Sequence, residues 1–202
     1  MNSRRAMWMA LPAVVAVSGA WPASAETYLN ESQALAVVFG KNANVKREQQ
    51  TLDAAKRGQL QQASGLQFLE GSYTFFVNEQ SGHPNEFAVV LNEIGKSEPI
   101  TFMVGMSADG KITDVAIMVF RENRGWEVKE KRFLNQFHGK SLRNSIRVGE
   151  DIINYTGATL SSKAIARGAK RALLLLDAFY PRESGMLPGN PANWLCHPTR
   201  CH

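Results

Sequence analysis

Cysteine is scarce in this chain. Its 202 residues include only Cys196 and Cys201, both within the last seven positions. In an oxidising compartment two such neighbours are expected to close a local disulfide. An expanded c-type haem attachment, Cys196-x4-Cys201-His202, is the alternative reading of the same residues. Metal capture by His197, His202 and the two thiols is the weaker expectation, because a frayed terminus holds ligands poorly. Charge of one sign is also scarce: 23 Lys and Arg against 18 Asp and Glu leave a formal net charge of +5. Acids are interleaved with bases, so no nucleic-acid role is expected. The Lys129-Glu130-Lys131-Arg132 run reads as the solvated face of a helix. Internal repeats and low-complexity tracts are absent, as are a nucleotide-binding fingerprint for NAD and a second hydrophobic span.

What is present begins with a three-part N-terminus. Arg4 and Arg5 form a basic start, Ala6 to Ala20 is apolar but broken by Pro12, Ser18 and Gly19, and Ala23-Ser24-Ala25 precedes Glu26. This is the pattern of a secretory signal peptide with an A-x-A-type cleavage site; an uncleaved membrane anchor is the alternative. No cysteine follows the small residues, which removes the case for a lipoprotein anchor. The expected division is a signal peptide at 1–25, a helical lead-in arm at 26–70, one domain at 71–180 and a Pro-rich tail at 181–202. About 177 residues remain after Ala25, with a charge of +3 once Arg4 and Arg5 are gone; that is enough for one domain with a proper core.

Periodicity then sets the fold class. Asn30 and Ser32 can cap a short helix over Gln33 to Phe39. Gln49 to Ala63 is rich in Gln, Lys and Ala and reads as helical despite Gly58. Ser72–Asn78 and Glu86–Ile94 are β-rich runs around a turn cluster, Ser81 to Asn85. Ile100–Met106 and Ile112–Phe120 flank Asp109-Gly110, a hairpin signal. Helical spacing returns at Glu127–Phe137 and most clearly at Ser162–Tyr180, where Ile165, Ala169, Leu173 and Leu176 mark one apolar stripe. Pro181 stops that helix. The expectation is an α+β domain, an antiparallel sheet of about four strands packed with helices, followed by an extended C-terminal tail.

Three segments carry the functional signal. Thr156-Gly157-Ala158-Thr159-Leu160-Ser161-Ser162 opens the last helix. The small Gly157-Ala158 pair lets the backbone approach a bulky ligand, and the helix that follows presents free N–H groups that favour a phosphate. A plain capped helix is the bland reading of the same string. Upstream lie Arg121-Glu122-Asn123-Arg124-Gly125-Trp126-Glu127 and Phe133-Leu134-Asn135-Gln136-Phe137-His138-Gly139-Lys140. In order and spacing these segments resemble the FMN-binding domain family, which includes the covalent-flavin subunits of Na+-translocating NADH:quinone reductases and Rnf complexes. The likeness runs from about Phe75 to Tyr180.

That resemblance implies FMN as cofactor, esterified through its phosphate to a threonine; the matching acceptor is Thr159. Thr156, Gly157, Ala158, Leu160 and Ser161 flank it, and Glu122, Arg124 and Gly125 are implied to lie near the flavin. It also implies maturation by a Mg2+-dependent FAD:protein FMN transferase that uses FAD and releases AMP. Many family members carry an Asp six residues before the acceptor, read by that transferase; here the position is Ile153 and the nearest acid is Asp151.

A threonine hydroxyl is a weak nucleophile at neutral pH, and nothing beside Thr159 offers a Ser-His-Asp arrangement, so activation has to come from the transferase. No catalytic residue and no metal site is expected in this chain. The Glu122 carboxylate could accept a hydrogen bond from a ring N–H or a ribityl hydroxyl, or form a surface ion pair with Arg124. Tyr155 and Trp126 could stack on the ring or serve as core. Lys140 could meet phosphate or merely end a helix, and His138 reads as structural. The expected function is an exported, periplasmic or extracytoplasmic electron carrier with a membrane redox partner. The alternative is a binding or assembly subunit that holds FMN reversibly or not at all.

Overall fold

The computed structural model describes residues 26–181 except Asn42 and Ser81. The expected signal segment and the Cys196–Cys201 pair, with its haem alternative, lie outside the described residues. Among the described residues no helix is long and apolar enough to cross a membrane.

A single antiparallel sheet organises the chain. Its strands are β1 (Glu26–Thr27), β2 (Val45–Thr51), β3 (Ser72–Gln80), β4 (His83–Ile94), β5 (Pro99–Ser107) and β6 (Ile112–Phe120), in the spatial order β1-β6-β5-β4-β3-β2. The four strands expected from alternation are β3 to β6, and they form a meander because each is joined to the next by a short turn. Successive side chains of a strand point to opposite faces, and both faces here are apolar. Phe75, Val77, Val89, Leu91, Phe102 and Val104 belong to the larger core on one side. Phe76, Ala88, Met103, Ala116 and Met118 form a smaller core on the other.

Helices cover the two faces unequally. Helix α4 (Thr159–Phe179) buries Ala164, Ile165, Ala169, Leu173 and Leu176 in the larger core. Helix α1 (Glu31–Phe39) is started by a capping box in which the Asn30 side chain accepts from Gln33 N–H and Gln33 bonds back to Asn30. It lies over the smaller core, so close to β5 that a Cβ at Gly105 would stand 2.2 Å from Val38 Cγ1.

Three expectations are corrected. The stretch 26–70 is not a helical arm, since it adds β1 and β2 to opposite edges of the sheet. Gln49 and Gln50 belong to β2 and not to a helix; the helix there, α2 (Ala54–Ser64), starts only after the Asp53 side chain caps Lys56 N–H. Pairing decides this: Gln49 Nε2 donates to Ser72 Oγ on β3, and Gln50 Nε2 donates to Tyr180 Oη at the end of α4. Nor is Glu127–Phe137 one helix. It is a 3-10 turn (Trp126–Lys129), the short α3 (Lys131–Leu134) and a second 3-10 turn (Asn135–Phe137), which together bury Val128, Phe133 and Phe137.

Candidate functional site

The start of α4 is made by a turn. Ala158 N–H donates to Tyr155 C=O at 3.0 Å, and Gly157 takes φ +89°, a left-handed value that favours glycine. Thr159 is therefore the first residue of the helix, three positions earlier than apolar spacing suggested. Its N-cap is Ala158, which offers no capping side chain and is itself packed into the core. Alanine is a poor N-cap, so the first N–H groups of α4 keep their partial positive charge for another acceptor.

That helix end opens on a cavity of about 570 Å³ lined in part by Thr159, Leu160 and Ser161, with Gly157 beside them. The volume lies within the usual range of small-molecule sites, roughly 300–1,000 Å³. Thr159 is half-buried, and its Oγ1 accepts a hydrogen bond from Asn154 Nδ2 at 2.8 Å. The opposite wall comes from Glu122, Asn123 and Arg124 after β6 and from Lys96 and Ser97 in the β4–β5 turn. Among the described residues the Lys96 and Arg124 side chains have no ion-pair partner.

Glycines set how closely these walls approach. Gly125 has φ +85°, and a Cβ there would stand 2.6 Å from Ser161 Oγ. Gly95 has no such φ, but its Cβ would stand 2.7 Å from Glu122 Oε1.

Glu122 lines the cavity, yet its carboxylate works elsewhere. Its Oε1 accepts the backbone N–H groups of Lys96, Ser97 (2.7 Å) and Glu98 (3.1 Å), and its Oε2 accepts from Ser97 Oγ at 3.3 Å. Burial pushes its pKa up, but the three amides and the hydroxyl outweigh this and hold it below the ordinary value of 4.5. Among the described residues no ion pair joins it to Arg124. Glu122 thus has a role not expected from the sequence: it ties down the turn that carries Lys96.

The structure brings Glu122, Arg124, Gly157, Thr159, Leu160 and Ser161 together around one space, with Gly125 packed behind Ser161. Thr156 is exposed and Ala158 buried, and neither lines the cavity. The two expected stacking aromatics also stand outside its lining. Tyr155 packs edge-on to Phe133 with centroids 5.8 Å apart, and Trp126 is half-exposed with Lys129 Nζ 5.7 Å from its ring centroid. Lys140 pairs with Asp151 at 3.2 Å, and the Nδ1 of His138 bonds the Thr113 carbonyl at 2.7 Å.

Lys96, Ser97, Asn123 and Asn154 were not anticipated. Asn154 sits two residues before the motif, and Lys96 and Ser97 enter only because the β4–β5 turn folds against β6.

The acid nearest Thr159 on its N-terminal side is engaged within the fold. Asp151 accepts from Ser145 Oγ (2.6 Å), Ile146 N–H (3.1 Å), Arg147 N–H (2.8 Å) and Lys140 Nζ (3.2 Å). Burial raises its pKa, but these donors prevail and hold it well below the usual carboxylate range. Ile153, by contrast, is 74% exposed.

Such a cavity fits FMN: an uncapped helix end and two cations without an ion-pair partner among the described residues suit the phosphate, and the bare backbone at Gly157 gives access. No curated protein matches the chain. Among solved structures, a subunit of the Na+-translocating NADH-quinone reductase from Parabacteroides distasonis is 18% identical. It superposes over 77% of this chain and 87% of its own with a TM-score of 0.50. NqrC of Shewanella oneidensis is 15% identical over 62% of this chain and 76% of its own, with a TM-score of 0.47. The Parabacteroides likeness is one of fold, an antiparallel sheet packed with helices. Residues 95–174, which run from the β4–β5 turn through most of α4 and so contain every residue lining the cavity, match the family model of the FMN-binding domain.

Proposed function

We propose that this protein is an exported electron carrier whose FMN is joined through a phosphoester to Thr159. The observation that carries the reading is the placement of Thr159: a half-buried hydroxyl on the first residue of an uncapped helix, opening into a cavity with two cations that have no ion-pair partner among the described residues. Bound FMN would supply one- and two-electron chemistry. The chain's own residues hold and shield it. The first-turn amides of α4 would face the phosphodiester's single negative charge. Asn154 fixes the orientation of the Thr159 hydroxyl. Lys96 and Arg124 add positive charge on the facing wall, and Gly125 admits backbone close to Ser161. The membrane-linked donor, the extracytoplasmic location and maturation by an FAD:protein FMN transferase belong to the same proposal. The N-terminal pattern of residues 1–25 and the domain family support it.

Intact mass after co-expression with such a transferase tests the reading. The mature chain should gain one FMN less water, its yellow colour should survive denaturation, and Thr159→Ala should abolish both. An unmodified Thr159 peptide from a colourless protein refutes covalent loading.

One observation favours a second reading, a binding or assembly subunit that holds FMN reversibly or not at all. Ile153 stands where many family members carry the acid that their transferase reads, and Asp151 is fully engaged within its own loop. Flavin that is released on denaturation, with the mass of the chain unchanged, would select it.

A further inference from the structure

The two walls of the cavity come from elements that share no backbone ladder: α4, which carries Thr159, and the β4–β5 turn, which carries Lys96. What joins them lies further in. Glu93, near the end of β4, is 5% exposed beneath α4. Its carboxylate forms ion pairs with Arg171 and, at 3.5 Å, with Arg167 Nε. Arg167 Nη2 also donates to the Ile94 carbonyl at 2.9 Å, and Arg171 Nε donates to the Gln67 carbonyl at 3.0 Å. Between the two arginines Gly168 faces the sheet; a Cβ there would stand 2.4 Å from Phe102 Cζ and 3.0 Å from Glu93 Cγ. The helix is thus seated where only glycine fits, and its arginines straddle one buried carboxylate. Glu93 is three residues before Lys96, and Arg167 lies eight after Thr159, about 12 Å along the helix axis. A buried ion cluster is weak as a source of stability, because desolvation offsets much of its attraction. As a fixed register between helix and strand it has a consequence at the cavity.

We propose that Glu93, held by Arg167 and Arg171 over Gly168, is a positioning residue for flavin loading: it sets the first turn of α4 against the β4–β5 turn, in the geometry that phosphoryl transfer to Thr159 requires. This rests on the covalent reading above. In that transfer the bond between the FMN phosphorus and the AMP oxygen of FAD breaks and the Thr159 Oγ1–P bond forms. The hydroxyl proton passes to a base of the transferase, and AMP leaves; no redox change occurs.

The test uses the full mature chain, FAD and a purified FMN transferase, with Glu93→Gln and Gly168→Ala as independent perturbations. Met103→Ala, in the core on the opposite face of the sheet, serves as a control for lost stability. Loading is followed by intact mass at a temperature where all proteins are folded by near-UV circular dichroism. Amide hydrogen exchange is measured on the flavin-free forms. The clamp variants should load roughly ten- to a hundredfold more slowly, the scale of a misplacement of about 1 Å, while the control loads at the wild-type rate. Exchange should accelerate at Lys96, Ser97 and Glu98 and in the first turn of α4, and stay unchanged in β2 and β3. Unchanged exchange at both walls overturns the proposal, and so does loading equal to that of the control. A wild-type chain that takes no flavin refutes the covalent reading itself and the loading role with it, an outcome distinct from a defect confined to the clamp variants.

Discussion

Glu122 offers the sharpest test of how this cavity is built, because the sequence and the structure assign its carboxylate different work. Three backbone N–H groups converge on its Oε1, from Lys96, Ser97 and Glu98. A buried hydrogen bond to a charged group is worth roughly 1.5–3 kcal/mol. All three donor residues are exposed, so water competes for them and the whole cradle is worth about 1–2 kcal/mol. Glu122→Gln keeps a neutral acceptor and should cost about 1 kcal/mol at neutral pH, or about 2–4 °C in melting temperature for a domain of this size. The sign of the pH effect follows from the depressed folded-state pKa. The stabilisation is fully present above the ordinary value of 4.5 and is lost as pH falls through the lower folded value. Urea unfolding of both proteins across pH 7 to 3, with equal m-values, reads this directly. The gap between them should close as the pH falls below 4.5. In flavin-loaded protein the potential should barely move, whereas a carboxylate bonded to the ring would shift it by roughly 30–65 mV on substitution. Equal stability at neutral pH, together with a shift of that size, would refute the turn-anchoring role and restore the flavin contact.

Asp151→Asn should destabilise the domain by about 2 kcal/mol near neutral pH, since one carboxylate receives four donors; the loss relative to wild type should shrink as pH falls below 3.8 through the still lower folded-state value, as read by chemical denaturation. Asn154→Ala should leave stability within about 0.5 kcal/mol and slow flavin loading roughly fivefold, the equivalent of about 1 kcal/mol for one orienting hydrogen bond; a loading time course followed by intact mass decides it, and an unchanged rate removes Asn154 from the reaction. Ile153→Asp, at a position 74% exposed, should be neutral for folding within about 0.5 kcal/mol and should accelerate loading without changing the product; equal rates show that the transferase does not read this side chain.

Strands β3 to β6 were legible because their apolar residues crowd a sheet that is buried on both faces, and because Asp109-Gly110 and the cluster around Gly82 mark their turns. β2 was not, since Val45-Lys46-Arg47-Glu48-Gln49-Gln50-Thr51 has no apolar alternation. Its charges suit an edge strand, and its conformation is fixed by β3 and by Tyr180 some 130 residues away. α4 was legible from its apolar stripe, but its start was placed at Ser162 because Ala158 gives no capping signal. The cavity divides in the same way. Gly157 could be singled out because its role is local, a turn before a helix, whereas Gly125 and Thr159 were singled out by their places in the segments that resemble the family. The work of Glu122 could not be read, because it depends on a turn 24 to 26 residues upstream.

The F-x-x-Q-F-x-G-K segment shows how a motif can serve a site that it never touches. Phe133 and Phe137 are fully buried and stack edge to face. Between them Gln136 clasps the backbone of Ile153, accepting its N–H at 2.7 Å and donating to its carbonyl at 3.4 Å. Gly139 and Ile112 bond through their backbones, and Lys140 reaches Asp151. Asp151 in turn holds Ile146, a buried β-branched residue at φ +47°, a conformation that persists only when its surroundings enforce it. Lys170 closes the loop from α4 by donating to the Ser145 carbonyl at 3.2 Å. The loop before Thr159 is thus fixed from three sides, and its carboxylate and amide side chains at 136 and 151 are spent on fixing it. The exposed side chains it leaves before the turn at Gly157 are Ile153 and Asn154, the first apolar and the second bonded to the Thr159 hydroxyl. A loading enzyme that approaches Thr159 from this side therefore meets an apolar contact and an amide, with the nearest acid turned inward. On the proposed covalent reading, recognition would rest on shape and apolar contact more than on a charge at position 153.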